Sequence, residues 1–219
     1  MTHLLSMLKA DTQEAVHGTK TQVARMAAIS APVPPHGLTK PCDTTYTAEH
    51  HSGRRPLSAV KWIVMHSTEG DTALGAARWF ANPASGGSAH LCIDDQHCFR
   101  TLGDAFIPWG APGANTQGFH IEQAGYAKWT NLIWSGKHRD TLERAAYKAA
   151  LHCRKFGIPP VFVGSSDLKA GRPGITTHME CTKAFGGSHT DPGAGWPRLW
   201  FMRRVRYWHK RLWHVKPVG

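Results

Sequence analysis

The feature that most limits what this chain can fold into is the almost continuous apolar run Val60-Lys61-Trp62-Ile63-Val64-Met65-His66. A strand with one wet face alternates polar and apolar residues. This run has no polar face to offer water, so it reads as a strand buried on both sides, inside a sheet with helices on each face. Ser67-Thr68-Glu69-Gly70-Asp71 then turns the chain into a helix, with Asp71 or Thr72 as N-cap. Leu74, Ala77, Arg78 and Phe80 follow on that helix, and Asn82-Pro83 stops it.

The remaining elements follow from the same local rules. Ser88 to Ile93 and His97 to Leu102, separated by the turn Asp94-Asp95-Gln96, read as a hairpin. Residues 103–117 are rich in Gly and Pro and read as a long irregular loop, whose Trp109 and Asn115 are candidates to line a substrate groove. In the strand Gly118-Phe119-His120-Ile121-Glu122, alternation puts His120 and Glu122 on one face and Phe119 and Ile121 on the other. Residues 139–156 carry Leu142, Ala145, Ala146, Ala149, Ala150 and Cys153 along one side, a helix stopped by Gly157. Ile158 to Gly164 reads as a loop or edge strand, and Ser165 to Arg172 as a surface turn. From Pro197 a last helix places Phe201, Val205, Trp208 and Leu212 on one face and Arg203, Arg206 and Lys210 on the other. Residues 1–29 read as one or two short helices, and the Pro- and Thr-rich residues 30–58 as a linker or an extended wrap.

The chemistry concentrates in two places. Thr176-Thr177-His178-Met179-Glu180-Cys181 and Gly187-Ser188-His189-Thr190-Asp191-Pro192-Gly193 offer two imidazoles and a carboxylate within the 14 residues from His178 to Asp191. The strand ending at His66 adds a further imidazole. Three donors of mixed nitrogen and oxygen type suit a catalytic zinc site, which keeps a fourth position open. Spacing alone permits either His178 or His189 to join His66 and Asp191 as a ligand. His90, beside Ala89 on a buried strand, reads as a hydrogen-bonded core residue, whereas His120 shares a face with Glu122 and can support the site.

Net charge is +11, but residues 196–219 hold seven basic and no acidic side chains. Without them 19 basic face 15 acidic residues, leaving +4, so most of the basicity belongs to the tail. There is no run of 18 or more apolar residues and no signal-peptide pattern, so a cytoplasmic origin is expected. Five cysteines without a CxxC pair count against a thiolate zinc knuckle or a redox motif. Buried thiols are expected, with a Cys92–Cys98 or Cys153–Cys181 bridge as the alternative.

The strand-end HST at 66–68, the SAH at 88–90, the GFHIE at 118–122 and the THMEC…SHTDPG at 177–193 occur in the order seen in one family. The chain resembles the zinc-dependent type-2 N-acetylmuramoyl-L-alanine amidases, and its wording is most similar to the amidase domains of mycobacteriophage endolysins. The resemblance covers roughly residues 58–208. It implies an α/β fold with a central mixed β-sheet flanked by helices, and a division into an arm (1–57), an amidase domain (58–208) and a basic aromatic tail (209–219). Carried over by position, the zinc ligands fall on His66, His178 and Asp191, and the catalytic acidic residue on Glu122. His189 stands where many members have a lysine and can donate to the oxyanion. Trp109, Asn115 and His120 are the expected substrate contacts. The chain departs from the pattern at Trp109-Gly110-Ala111-Pro112, where many amidases have Trp-His-Ala-Gly.

The resemblance further implies hydrolysis of the amide between N-acetylmuramic acid and L-alanine in peptidoglycan, in an enzyme held in the host cytoplasm until release to the wall. The competing reading is a recognition module that holds peptidoglycan without cutting it. For the C-terminal helix, a core role stands beside an anchor for an anionic envelope surface; nucleic acid is not an expected partner.

Overall fold

In a computed structural model, which describes residues 37–212, five strands form one mixed sheet in the order β3-β2-β4-β1-β5. The strands are β1 (Trp62–Ser67), β2 (Leu91–Ile93), β3 (Cys98–Arg100), β4 (Gly118–Gln123) and β5 (Gly174–Thr177). β1 runs parallel to β4 and β5 and β2 parallel to β4, while β3 returns antiparallel to β2. The apolar β1 is interior to the sheet and buried at every residue.

Helices cover both faces, as a strand without a polar side demands. On one face Ile63, Met65, Phe119, Ile121 and Ile175 pack with Leu142, Ala145 and Ala149 of α3 (Arg139–Phe156) and Phe201 and Val205 of α6 (Arg198–Arg211). On the other, Trp62 and Val64 meet Leu168 of α4 (Ser165–Lys169) and Cys181 of α5 (His178–Phe185). Cys92 and Phe99 lie there against Ala73 and Ala77 of α1 (Ala73–Phe80). The short α2 (Asn131–Ser135) precedes α3 and buries Trp134.

Thr72, not Asp71, caps α1, its hydroxyl accepting from the Gly75 N–H. Residues 165–169 are helical rather than a surface turn: Asp167 reaches back to the Gly164 N–H and Leu168 is buried, anchoring the turn to the core. The tryptophans of α6 face inward, with Trp200, Trp208 and Leu212 packed against the core and the Trp208 indole donating to Glu143 at 2.7 Å. What α6 leaves exposed is Leu199 and the basic Arg198, Arg203, Arg206, Lys210 and Arg211, while Trp200, Tyr207 and Trp208 are partly buried, so the aromatic half of an envelope anchor is largely taken up in packing.

Buried free thiols are found as expected at three of the five cysteines, neither alternative bridge forms, and a third pairing does. Cys42 and Cys98 are bonded, while Cys92, Cys153 and Cys181 are free and buried. Cys92 stands opposite Phe99 in the β2–β3 ladder, so Cys98, one residue away, points to the other face of the hairpin. A bridge between Asp43 and Phe99 brings Cys42 alongside instead. Residues 37–57 are held against the domain at further points, including Ser52 N–H to Ile107 carbonyl and Arg55 N–H to Ala105 carbonyl. The expected boundary at 57 thus falls within one compact unit. The expected helices in residues 1–29 lie outside the described residues, as does the tail beyond Leu212. Among the described residues no helix is long and apolar enough to cross a membrane.

Candidate metal centre and active site

Three parallel strands end at the same edge of the sheet, and that edge collects the chemistry. Register pairs His66 with Glu122 at the ends of β1 and β4. β5 ends beside Met65 at Thr177, whose hydroxyl caps α5, so His178 is the first residue of that helix. Asp191 arrives on a loop tied to the same helix by the Met179 N–H donating to its carbonyl at 2.8 Å. The loop is held from behind: Gly193 has φ +89°, and a Cβ there would lie 1.8 Å from the Ala127 carbonyl oxygen. Only glycine fits this approach.

His66 Nδ1 lies 3.0 Å from one Asp191 oxygen and His178 Nδ1 3.0 Å from the other. The three donor atoms lie within 4.8 Å of one another and are nearly enclosed. Neighbouring donors of a tetrahedral zinc with bonds of about 2.0–2.1 Å stand about 3.3 Å apart, so this set would hold such an ion once its side chains draw inward. His189 stacks on His178 with centroids 4.3 Å apart, but its Nδ1 is 3.8 Å from Asp191 and its side chain is 64% exposed. It stands at the rim, outside the cluster.

Glu122 lies beside the cluster and lines the same cleft, its Oε1 4.0 Å from His66 Nδ1 and its Oε2 buried without a partner. Burial pushes its carboxyl well above the ordinary range, and the charges of Asp191 and Glu69 add to the effect. Burial would raise Asp191 too, but its hydrogen bonds with His178 and His66 outweigh that and hold it well below its ordinary range. Burial lowers His66, partly offset by Asp191.

The cluster opens into a cleft of about 500 Å³ walled by the loop after β1, by Trp79 and Phe80 of α1, and by Trp109. Trp109 is 42% exposed, stacks on His50 with centroids 4.8 Å apart and donates from its indole to Ser52. Asn115 does not face the cleft: its Oδ1 accepts from the Gly110 and Ala111 N–H groups and closes its own loop. His90 lies in the core, its Nδ1 accepting from the His120 N–H while Nε2 reaches the Phe106 carbonyl. His120 is buried behind His66, which it contacts at 3.0 Å, and does not itself line the cleft. Trp79 was not singled out from the sequence, although it sits off the buried Ala73–Ala77 stripe of α1 and is 50% exposed. A bulky aromatic on the polar side of a helix was the available signal.

These features define an α/β domain with a His–His–Asp cluster at the carboxyl ends of parallel strands, where such sheets hold their ligands. The profile of the N-acetylmuramoyl-L-alanine amidase family matches residues 56–194, and the chain belongs to that family. A crystal structure of the Staphylococcus aureus hydrolase AmiA in complex with its ligand is similar with a TM-score of 0.64 at 17% identity, covering 90% of this chain and 94% of that one. A mutant of PlyL gives 0.52 at 15% identity, over 76% of this chain and 98% of the other. At such identities the likeness is one of fold. A search of curated protein sequences finds no match.

Proposed function

We propose that this protein is a zinc-dependent amidase that hydrolyses the bond between the lactyl group of N-acetylmuramic acid and L-alanine in peptidoglycan. One observation carries the reading: a buried carboxylate with an unpartnered oxygen stands 4.0 Å from a His–His–Asp cluster that opens into a cleft. Family membership supports the substrate class.

His66, His178 and Asp191 would hold the metal. When bound, zinc supplies Lewis acidity, polarising a carbonyl and making water acidic near neutral pH. Glu122, once ionised, takes a proton from the attacking water and passes it to the departing L-alanine amine. Its raised affinity for protons suits both halves of that task. His189 at the rim donates to the oxygen on which charge develops, where one donor is worth about 3–4 kcal/mol. Trp79 and Trp109 offer flat apolar walls to the glycan and stem peptide.

We further read the enzyme as a phage endolysin, kept in the host cytoplasm until the membrane is opened. This rests on the likeness of residues 111–115, 120–129 and 186–197 to mycobacteriophage enzymes.

The test is release of L-alanine amino groups from purified mycobacterial-type peptidoglycan. It compares native protein, chelated protein with and without added zinc, Glu122→Gln and His189→Ala. Release should need zinc and collapse in Glu122→Gln, while His189→Ala should retain zinc and lose about 100-fold or more in turnover. Zinc-loaded protein that sediments with the wall yet releases nothing would make it a binding module.

A further inference from the structure

We propose that His120 is a positioning residue for the metal cluster: it accepts a hydrogen bond from His66 and thereby fixes the tautomer and tilt of that ring. This rests on reading His66 as a ligand through Nδ1. The His66 ring is held at both ends, Nδ1 lying 3.0 Å from Asp191 Oδ2 and Nε2 3.0 Å from His120 Nδ1. A neutral imidazole that gives its Nδ1 lone pair to a cation must carry its proton on Nε2. Inside a dry sheet that proton needs an acceptor, and His120 Nδ1 stands at hydrogen-bonding distance. The two rings lie nearly parallel, 22° apart with centroids separated by 5.0 Å, because Val64↔His120 and His66↔Glu122 are successive same-face register pairs.

His120 is itself fixed by its surroundings. Its backbone N–H donates to His90 Nδ1 at 3.0 Å, and two glycines make room for its ring. A Cβ on Gly110 would stand 2.5 Å from His120 Nδ1, and one on Gly118 would stand 2.5 Å from Nε2. Gly110 is one of the two positions, with Pro112, at which the sequence departs from the Trp-His-Ala-Gly pattern of many amidases. Here the imidazole on β4 fills the space that a side chain at Gly110 would enter.

The far nitrogen of His120, Nε2, is buried without a hydrogen-bond partner. In the proposed arrangement that atom bears the His120 proton, because Nδ1 is the acceptor. Leaving it unpartnered costs stability, so packing alone would favour an apolar residue. An acceptor role toward His66 accounts for an imidazole in this slot.

The experiment uses the full chain and zinc itself. Zinc affinity is measured by competition with a chromophoric chelator for wild type, His120→Leu and His120→Asn, with melting curves of the metal-free proteins alongside. His120→Leu should bind zinc about 10–100-fold more weakly. His120→Asn, whose side-chain oxygen can stand where Nδ1 stands, should regain most of that loss. Nitrogen-15 NMR of zinc-loaded wild type should show His66 protonated on Nε2, a readout that does not require any variant to fold. Three results would overturn the proposal: His120→Leu with unchanged affinity, His120→Asn as weak as the leucine variant, or His66 protonated on Nδ1. Wild type that binds no zinc would overturn the metal reading, and this proposal with it; affinity that falls in His66→Ala but not in His120→Leu would remove this proposal alone.

Discussion

Glu122 and Asp191 are carboxylates buried at one edge of the sheet, and their neighbours drive them in opposite directions. Asp191, held low by two imidazoles, contributes stability above the ordinary carboxylate range and loses it as pH falls through its folded value. Glu122 has the reverse sign. Its folded-state pKa is raised, so the metal-free fold loses stability as pH rises from the unfolded value through the folded one. We therefore expect Glu122→Gln to raise the melting temperature of the chelated protein at about pH 7.5, by about 2–4 °C for each kcal/mol gained. The gain should vanish near pH 4, where the wild-type carboxyl is protonated. A variant no more stable than wild type at either pH would mean that the carboxylate is better solvated than its burial implies. A residue kept for reactivity at a cost in stability is the usual trade at such sites.

At the scale of elements, α6 tests what the basic tail is for. Its apolar period was legible because Phe201, Val205, Trp208 and Leu212 repeat at helical spacing, yet period alone cannot say whether a stripe meets a core or a membrane. Packing decides it: α6 lies along α3, Phe201 and Val205 are fully buried, and Arg204 pairs with the buried Glu143 at 2.7 Å. Truncation after Tyr207 removes Trp208 with its bond to Glu143, and Leu212. We expect a loss of about 2–3 kcal/mol, below the ~3–5 of a fully buried aromatic because Trp208 and Leu212 are only partly buried, with activity and wall binding falling together in parallel with urea-measured stability. Loss of wall binding alone would restore the anchor reading. The short α4 was missed for the complementary reason, since a single apolar residue among four polar ones carries no period, and burial of Leu168 with the Asp167 bond to the Gly164 N–H holds the turn.

For the whole molecule, the segment before β1 behaves as a strap rather than a linker. Cys42 is bonded to Cys98 across 56 residues of sequence, and Asp43, Ser52 and Arg55 hydrogen-bond to the domain between and beyond. Closing a loop of that length stabilises by up to about 4 kcal/mol in the chain-entropy account. Cys42→Ser should lower the denaturation midpoint of the oxidised protein by a corresponding amount. Reduced wild type should match the variant, and equal midpoints in all three would mean that the strap is held by its hydrogen bonds alone. Polar composition left a linker and an extended wrap equally open. The segment's attachments are scattered backbone and side-chain hydrogen bonds, a ring stack and one thiol pair, which leave no periodic trace.

What the sequence determined by itself was whatever depends on neighbours along the chain. A strand without a polar side must be covered on both faces, alternation puts His120 and Glu122 on one side of β4, and a His-x10-His-x-Asp stretch keeps metal donors close in sequence. Only the tertiary structure decided which strands are adjacent and in what register. That sets His66 beside Glu122 and gives its ring His120 as a neighbour, while Asn115 turns into its own loop. Such contacts join residues far apart in sequence, and they follow from how all the faces pack at once.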